Sequence, residues 1–156
     1  MTRQKKYPDT DTFHFYNVNP KGKITGDCAV RAVAAAVGKS WECVTMELAE
    51  MSCKTGYSFA SKENMDKYLI QNGFEKEKQP RKQDNTKFTG EEFCREIQKW
   101  LGDKYLWWTC TENGVVIAPR IVANIGSGHV VAIIDGKVND IWNSTDGCIG
   151  NYWVYL

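Results

Sequence analysis

Histidine is scarce in this sequence: His14 and His129 are the only two in 156 residues. There is no Cys-x-x-Cys pair and no His-x-x-x-His. A zinc site would have to gather cysteines scattered along the whole chain, so no metal or other cofactor is expected. Excess charge is missing too. Twenty Lys and Arg nearly cancel nineteen Asp and Glu, so no global field favours nucleic acid or an anionic membrane. No apolar run approaches the ~20 residues of a membrane span. The basic start, Met1 to Lys6, is not followed by the apolar stretch of a signal peptide. The default expectation is a cytoplasmic protein that engages neither nucleic acid nor membrane.

Cysteine, by contrast, is present six times, at positions 28, 43, 53, 94, 110 and 148. An even count suggests disulfides only in secreted, stapled scaffolds, and this chain is larger than those. Most of these thiols are expected to be small buried apolar groups. What matters is which one is not.

With 42% apolar and 25% charged residues the composition is that of an ordinary globular protein, and the length suits one domain over residues 1–156. Residues 1–12 are polar and expected to be loosely held. Residues 12–19 read as a short strand and Pro20 to Lys23 as a turn. The Ala-rich run from Cys28 is strongly helical, with Asp27 placed as N-cap and Gly38 as C-terminal stop. Ser40 opens a second helix through Trp41, Val44, Leu48 and Met51, and a third runs from about Ser61 to Asn72. Residues 75–87 are charged and aperiodic and read as a solvated loop. Thr89-x-x-Glu92 is a capping box before a fourth helix that Gly102 ends. After residue 104 come short β-branched and aromatic runs: Tyr105–Cys110, Val115–Ile117, Arg120–Asn124, His129–Ile134, Lys137–Trp142 and Tyr152–Leu156. Asp135-Gly136 is a two-residue hairpin signal. Helices first and strands later predict an α+β fold, an N-terminal helical part packed on a C-terminal antiparallel sheet.

A thiol attacks carbonyls well only as thiolate, so a catalytic cysteine needs something to lower its pKa. Cys28 falls in the first turn of the Ala-rich helix, where free backbone N–H groups and the helix dipole favour a negative sulfur. The same amides can hold the oxyanion of a tetrahedral intermediate, and Gly26 lets a substrate carbonyl approach. The other five cysteines do not combine these features. The thiolate then needs an imidazole. His129 follows Gly126-Ser127-Gly128 at the head of an apolar strand, whereas His14, between Phe13 and Phe15, suits packing or the surface. The imidazole in turn needs an orienting acceptor on the strand beyond the hairpin. Counting outward from the turn favours Asn143, while Asp140 carries the full charge that would best stabilise an imidazolium.

At these residues the sequence resembles the papain-like cysteine peptidase superfamily. The likeness is of plan: Cys at the start of an Ala-rich helix, then His and an Asp or Asn on later adjacent strands. Gly26-Asp27-Cys28-Ala29-Val30-Arg31-Ala32-Val33 is also similar to the nucleophile segment of ovarian-tumour-type deubiquitinases. Asp140-Ile141-Trp142 is similar to the Asn-x-Trp of the papain family, which favours Asp140 over Asn143 as orienter and makes Trp142 a cover for its bond to His129. The likeness covers residues 26–36 and 128–143. It departs at the usual oxyanion glutamine six residues before the nucleophile, where Gly22 stands; Asn19, Asn17, Thr25 or backbone amides would take that part. The resemblance implies a papain-like fold and a thiol hydrolase that cleaves a peptide or isopeptide bond through a thioester, with a protein or peptide as substrate. Proteins of this layout also occur in bacteriophages. Two other classes compete: a papain-fold protein that binds and sequesters a protein partner without hydrolysis, and single-stranded nucleic-acid binding by stacking on Trp107 and Trp108, which the balanced charge disfavours.

Overall fold

The Ala and Val run after Asp27 folds as a ten-residue helix, and the rest of the molecule is arranged around it. The structure is a computed structural model that describes residues 1–103 and 119–155. In chain order the elements are α1 (Arg3–Lys6), β1 (Phe13–Phe15), α2 (Cys28–Val37), α3 (Trp41–Thr55), α4 (Lys62–Gln71), β2 (Glu75–Glu77), α5 (Gly90–Asp103), β3 (Arg120–Ile125), β4 (His129–Ile134), β5 (Lys137–Asp140) and β6 (Ile149–Tyr155). The runs expected as strands at Tyr105–Cys110 and Val115–Ile117 lie outside the described residues.

Local signals explain where most helices begin and end. Gly38 takes a left-handed φ of 77° and returns its N–H to Ala34, which closes α2. Ser40 caps α3 by accepting the Cys43 N–H, and Ser61 caps α4 by accepting the Asn64 N–H. The capping box ahead of α5 is reciprocal: Glu92 accepts the Thr89 N–H while Thr89 Oγ1 accepts the Glu92 N–H.

The six strands form one sheet in the order β1-β5-β4-β3-β6-β2. This corrects the expected antiparallel sheet, because β1 runs parallel to β5, pairing Phe13 with Val138 and Phe15 with Asp140. It also corrects the reading of residues 75–87 as a loop throughout. Glu75–Glu77 pairs with Val154 to Tyr152 as an exposed edge strand, where charged side chains stay in water while the backbone joins the ladder. The helices are not all on one side either. Along β4, Ala132 faces the core shared with α2, α3 and α4, while Val131 and Ile133 face a second core closed by Phe93 and Cys94 of α5. The central strands β3 and β4 therefore read as apolar on both faces, as a covered sheet requires. The N-terminal residues, expected to be loosely held, carry α1, and Arg3 Nε donates to the Ile141 carbonyl at 2.7 Å. Among the described residues no helix is long and apolar enough to cross a membrane.

Two features of this frame set the site. The hairpin between β4 and β5 turns on Asp135 and Gly136, both left-handed (φ 54° and 68°), which fixes Ile134 opposite Lys137 and Ala132 opposite Asn139. Beyond Ala132 the β4–β5 ladder ends, so the head of β4 and the end of β5 splay beside the start of α2.

Candidate active site

The start of α2 is unusual in what its cap does not do. Asp27 occupies the N-cap position, but its carboxylate makes no bond to the helix amides, contrary to the expected cap. Its oxygens are held elsewhere: by Arg31 Nη1, by the Trp41 indole N–H at 2.9 Å and by the Asn19 amide at 3.4 Å. The first helical backbone bond runs from the Arg31 N–H to the Asp27 carbonyl, so the N–H groups of Cys28, Ala29 and Val30 have no partner within α2. A Cβ built on Gly26 meets nothing within 4 Å, so the approach to these amides is open.

Cys28 is half-buried, and its thiol lies within reach of the His129 imidazole. His129 Nε2 lies 2.5 Å from Asp140 Oδ2, which leaves Nδ1 as the ring nitrogen for the sulfur. Asp140 is buried, and its second oxygen accepts the Ile141 N–H at 2.7 Å and Arg31 Nη2 at 3.2 Å. The Trp142 ring lies against the imidazole with centroids 5.0 Å apart. Cys28, His129, Asp140 and Trp142 are thus brought together from a helix start and a hairpin.

The electrostatics follow from the contacts. The hydrogen bond to His129 draws the Cys28 thiol below its ordinary value; burial opposes this, and the Val130 N–H and the charges on His129 and Arg31 add to the lowering. For His129, burial alone would pull the imidazole down. The hydrogen bonds to Asp140 and Cys28, with the charge on each, outweigh it and lift the ring to about 9. The two opposite shifts favour a proton on the ring over a proton on the sulfur. Cys94 shows the contrast: burial pushes its thiol up to about 12, which makes it an inert core group. Cys43, Cys53 and Cys148 are free thiols without such a partner set, and Cys110 lies outside the described residues.

Other expected residues fall elsewhere. Asn143 does not reach the imidazole; its Oδ1 accepts the backbone N–H and the hydroxyl of Thr145, an Asx turn after β5. Asn19 is buried with its amide toward Asp27 and its Oδ1 on the Lys21 N–H, so it braces the loop instead of offering itself as an oxyanion donor. The Asn17 amide is likewise turned to the Lys23 carbonyl. His14 forms a separate surface pair with Asp9 at 2.7 Å. The residue that sequence reasoning passed over is Arg31, buried at 6% exposure between two carboxylates. Its signal was present: a single charge inside an otherwise Ala and Val helix, four residues after Asp27. Among the described residues no group of three or more His, Cys, Asp and Glu is placed to hold a metal ion.

Comparison of the chain with family models, with curated proteins and with solved structures finds no match.

Proposed function

We propose that this chain is a cysteine hydrolase of papain-like plan, acting on a peptide or isopeptide bond of a protein or peptide substrate. Cys28 is its nucleophile, His129 its acid and base, and Asp140 the orienting acid. The observation that carries this reading is the Cys28 thiol beside His129, whose Nε2 lies 2.5 Å from Asp140 Oδ2, at a helix start whose amides have no partner within α2.

The chemistry follows from these groups. The Cys28 thiolate attacks the amide carbonyl carbon, and the carbonyl oxygen takes the negative charge against the unpaired amides of the α2 first turn. His129 gives its Nδ1 proton to the nitrogen of the scissile bond as the C–N bond breaks, leaving a thioester on Cys28. The now neutral imidazole takes a proton from water, whose oxygen attacks the thioester. Collapse releases the acid and restores thiolate and imidazolium. Asp140 keeps the ring aligned throughout, and Trp142 shields that bond from water. The five described cysteines are all free thiols, which suits a reducing, cytoplasmic setting.

Residue-resolved alkylation with iodoacetamide tests the assignment without a known substrate. Cys28 is expected to react at pH 5–6 well ahead of the exposed Cys53 and Cys148, and Cys28→Ala is expected to abolish that low-pH adduct while the fold persists. A Cys28 that alkylates only alongside Cys53 and Cys148 removes the nucleophile, and the non-hydrolytic binding protein then becomes the better description.

A further inference from the structure

Asp27, Arg31 and Asp140 form a charge network behind the Cys28 thiol and the His129 imidazole, with Arg31 and Asp140 buried. We infer that Arg31 is a positioning residue of the Cys28–His129–Asp140 constellation, gripping Asp140 with one arm of its guanidinium and Asp27 with the other. The inference rests on the reading proposed above and extends it to how the site is held.

The geometry is that of a fork with its two nitrogens on different tasks. Nη2 bonds Asp140 Oδ1 at 3.2 Å, so the other carboxylate oxygen is the one presented to His129 Nε2. Nη1 bonds Asp27 Oδ1 and also reaches the Thr25 carbonyl at 3.3 Å. An N-cap aspartate free to turn would bond the amides at N2 or N3 of its own helix. Held by Arg31, Trp41 and Asn19, Asp27 stays off them, and the first-turn N–H groups remain for an incoming oxygen. A lysine cannot replace this, because one ammonium offers a point charge where the guanidinium offers a planar, two-armed geometry.

The groups that face this network come from every element around it. Arg31 and Cys28 belong to α2, His129 to β4 and Asp140 to β5; Asp27 precedes α2, Trp41 begins α3, and Arg3 of α1 bonds the carbonyl next to Asp140. The thiolate is stabilised by the imidazolium, and the imidazolium by a correctly aimed Asp140. Loosening Asp140 should therefore make Cys28 harder to ionise.

The test compares Cys28 alkylation by iodoacetamide from pH 4 to 10 in the wild type, Arg31→Gln and Arg31→Lys, reading Cys28 by mass spectrometry and folding by circular dichroism. The wild type is expected to react through a limb well below pH 8.5. In folded Arg31→Gln that limb should move up by roughly one unit, or about tenfold less reactive Cys28 at pH 5. Arg31→Lys, which keeps the buried charge, should retain the fold yet leave the limb displaced. A folded Arg31→Gln or Arg31→Lys profile that superimposes on the wild type overturns the inference; if the glutamine variant does not fold, the lysine variant decides alone. A wild type without any low-pH limb is a different failure, that of the hydrolase reading itself.

Discussion

At the scale of single residues, the thiol and imidazole exchange a proton instead of titrating separately, and this sets an unusual pH signature. His129 is raised from an ordinary 6.5 to about 9, so its contribution to stability is complete below pH 6.5 and is lost as pH rises through about 9. Cys28 is lowered from 9.0, so its contribution is complete above pH 9 and is lost as pH falls through its folded value. Between 6.5 and 9 the two slopes oppose each other: folded, the pair holds its proton on the ring; unfolded, it holds it on the sulfur. Cys28→Ser keeps Asp140 beside the ring, so that variant alone loses stability as pH rises above 6.5, and the advantage of wild type over Cys28→Ser, measured by urea unfolding, is expected to widen above 6.5 and to shrink below it. A difference that stays flat above 6.5 would mean that Asp140 does not hold the ring protonated. Arg31 is also a residue-scale case. Replacing it with Met leaves Asp27 and the buried Asp140 without their cation, a class of change that costs about 3–5 kcal/mol.

At the scale of elements, the β4–β5 hairpin is the part that aims the base and its acid. Asp135 and Gly136 adopt left-handed φ, and a Cβ on Gly136 would come within 2.5 Å of Gln98 Cγ, whose amide already bonds the Gly136 and Asp11 carbonyls. Gly136→Ala is expected to cost about 1–2 kcal/mol from the backbone alone, with a lower melting temperature and slower low-pH alkylation of Cys28 together. This turn was legible from Asp135-Gly136, as were the caps at Ser40 and Thr89 and the start of α4 near Ser61, because each depends on a few neighbouring atoms. Asp27 misled for the same reason. By local rules it is an N-cap, and only contacts with Arg31, Trp41 and Asn19, distant in space until α2 and α3 pack, pull its carboxylate away. Strand β2 was hidden because Glu75, Lys76 and Glu77 are exposed, so no apolar alternation marks them.

At the scale of the whole molecule, the sheet is closed on the β5 side by a strand from the far end of the chain. Phe13 of β1 is fully buried, the Thr12 carbonyl accepts the Val138 N–H, and the Tyr16 N–H bonds the Asp140 carbonyl at 2.9 Å. Removing residues 1–16 is expected to turn β5 into an exposed edge, forfeit about 1.5–3 kcal/mol for Phe13 alone, and slow Cys28 alkylation at pH 5 because Asp140 loses its backbone support. Unchanged alkylation in a folded truncation would show that β1 does not steady the site. The α+β class was legible from the change of period near residue 104, but neither the parallel β1–β5 pair nor the placement of α5 on the opposite face of the sheet was. Both arise from long-range pairing, which no window of sequence contains. One consequence follows from the way the constellation is divided. His129 and Asp140 travel on one short ribbon, twelve residues from end to end, whereas Cys28 belongs to α2, which is joined to that ribbon by packing and by the Arg31–Asp140 pair. A gentle loosening between those two bodies disarms the sulfur while the ribbon is still intact, so loss of reactivity should run ahead of melting as the protein is warmed.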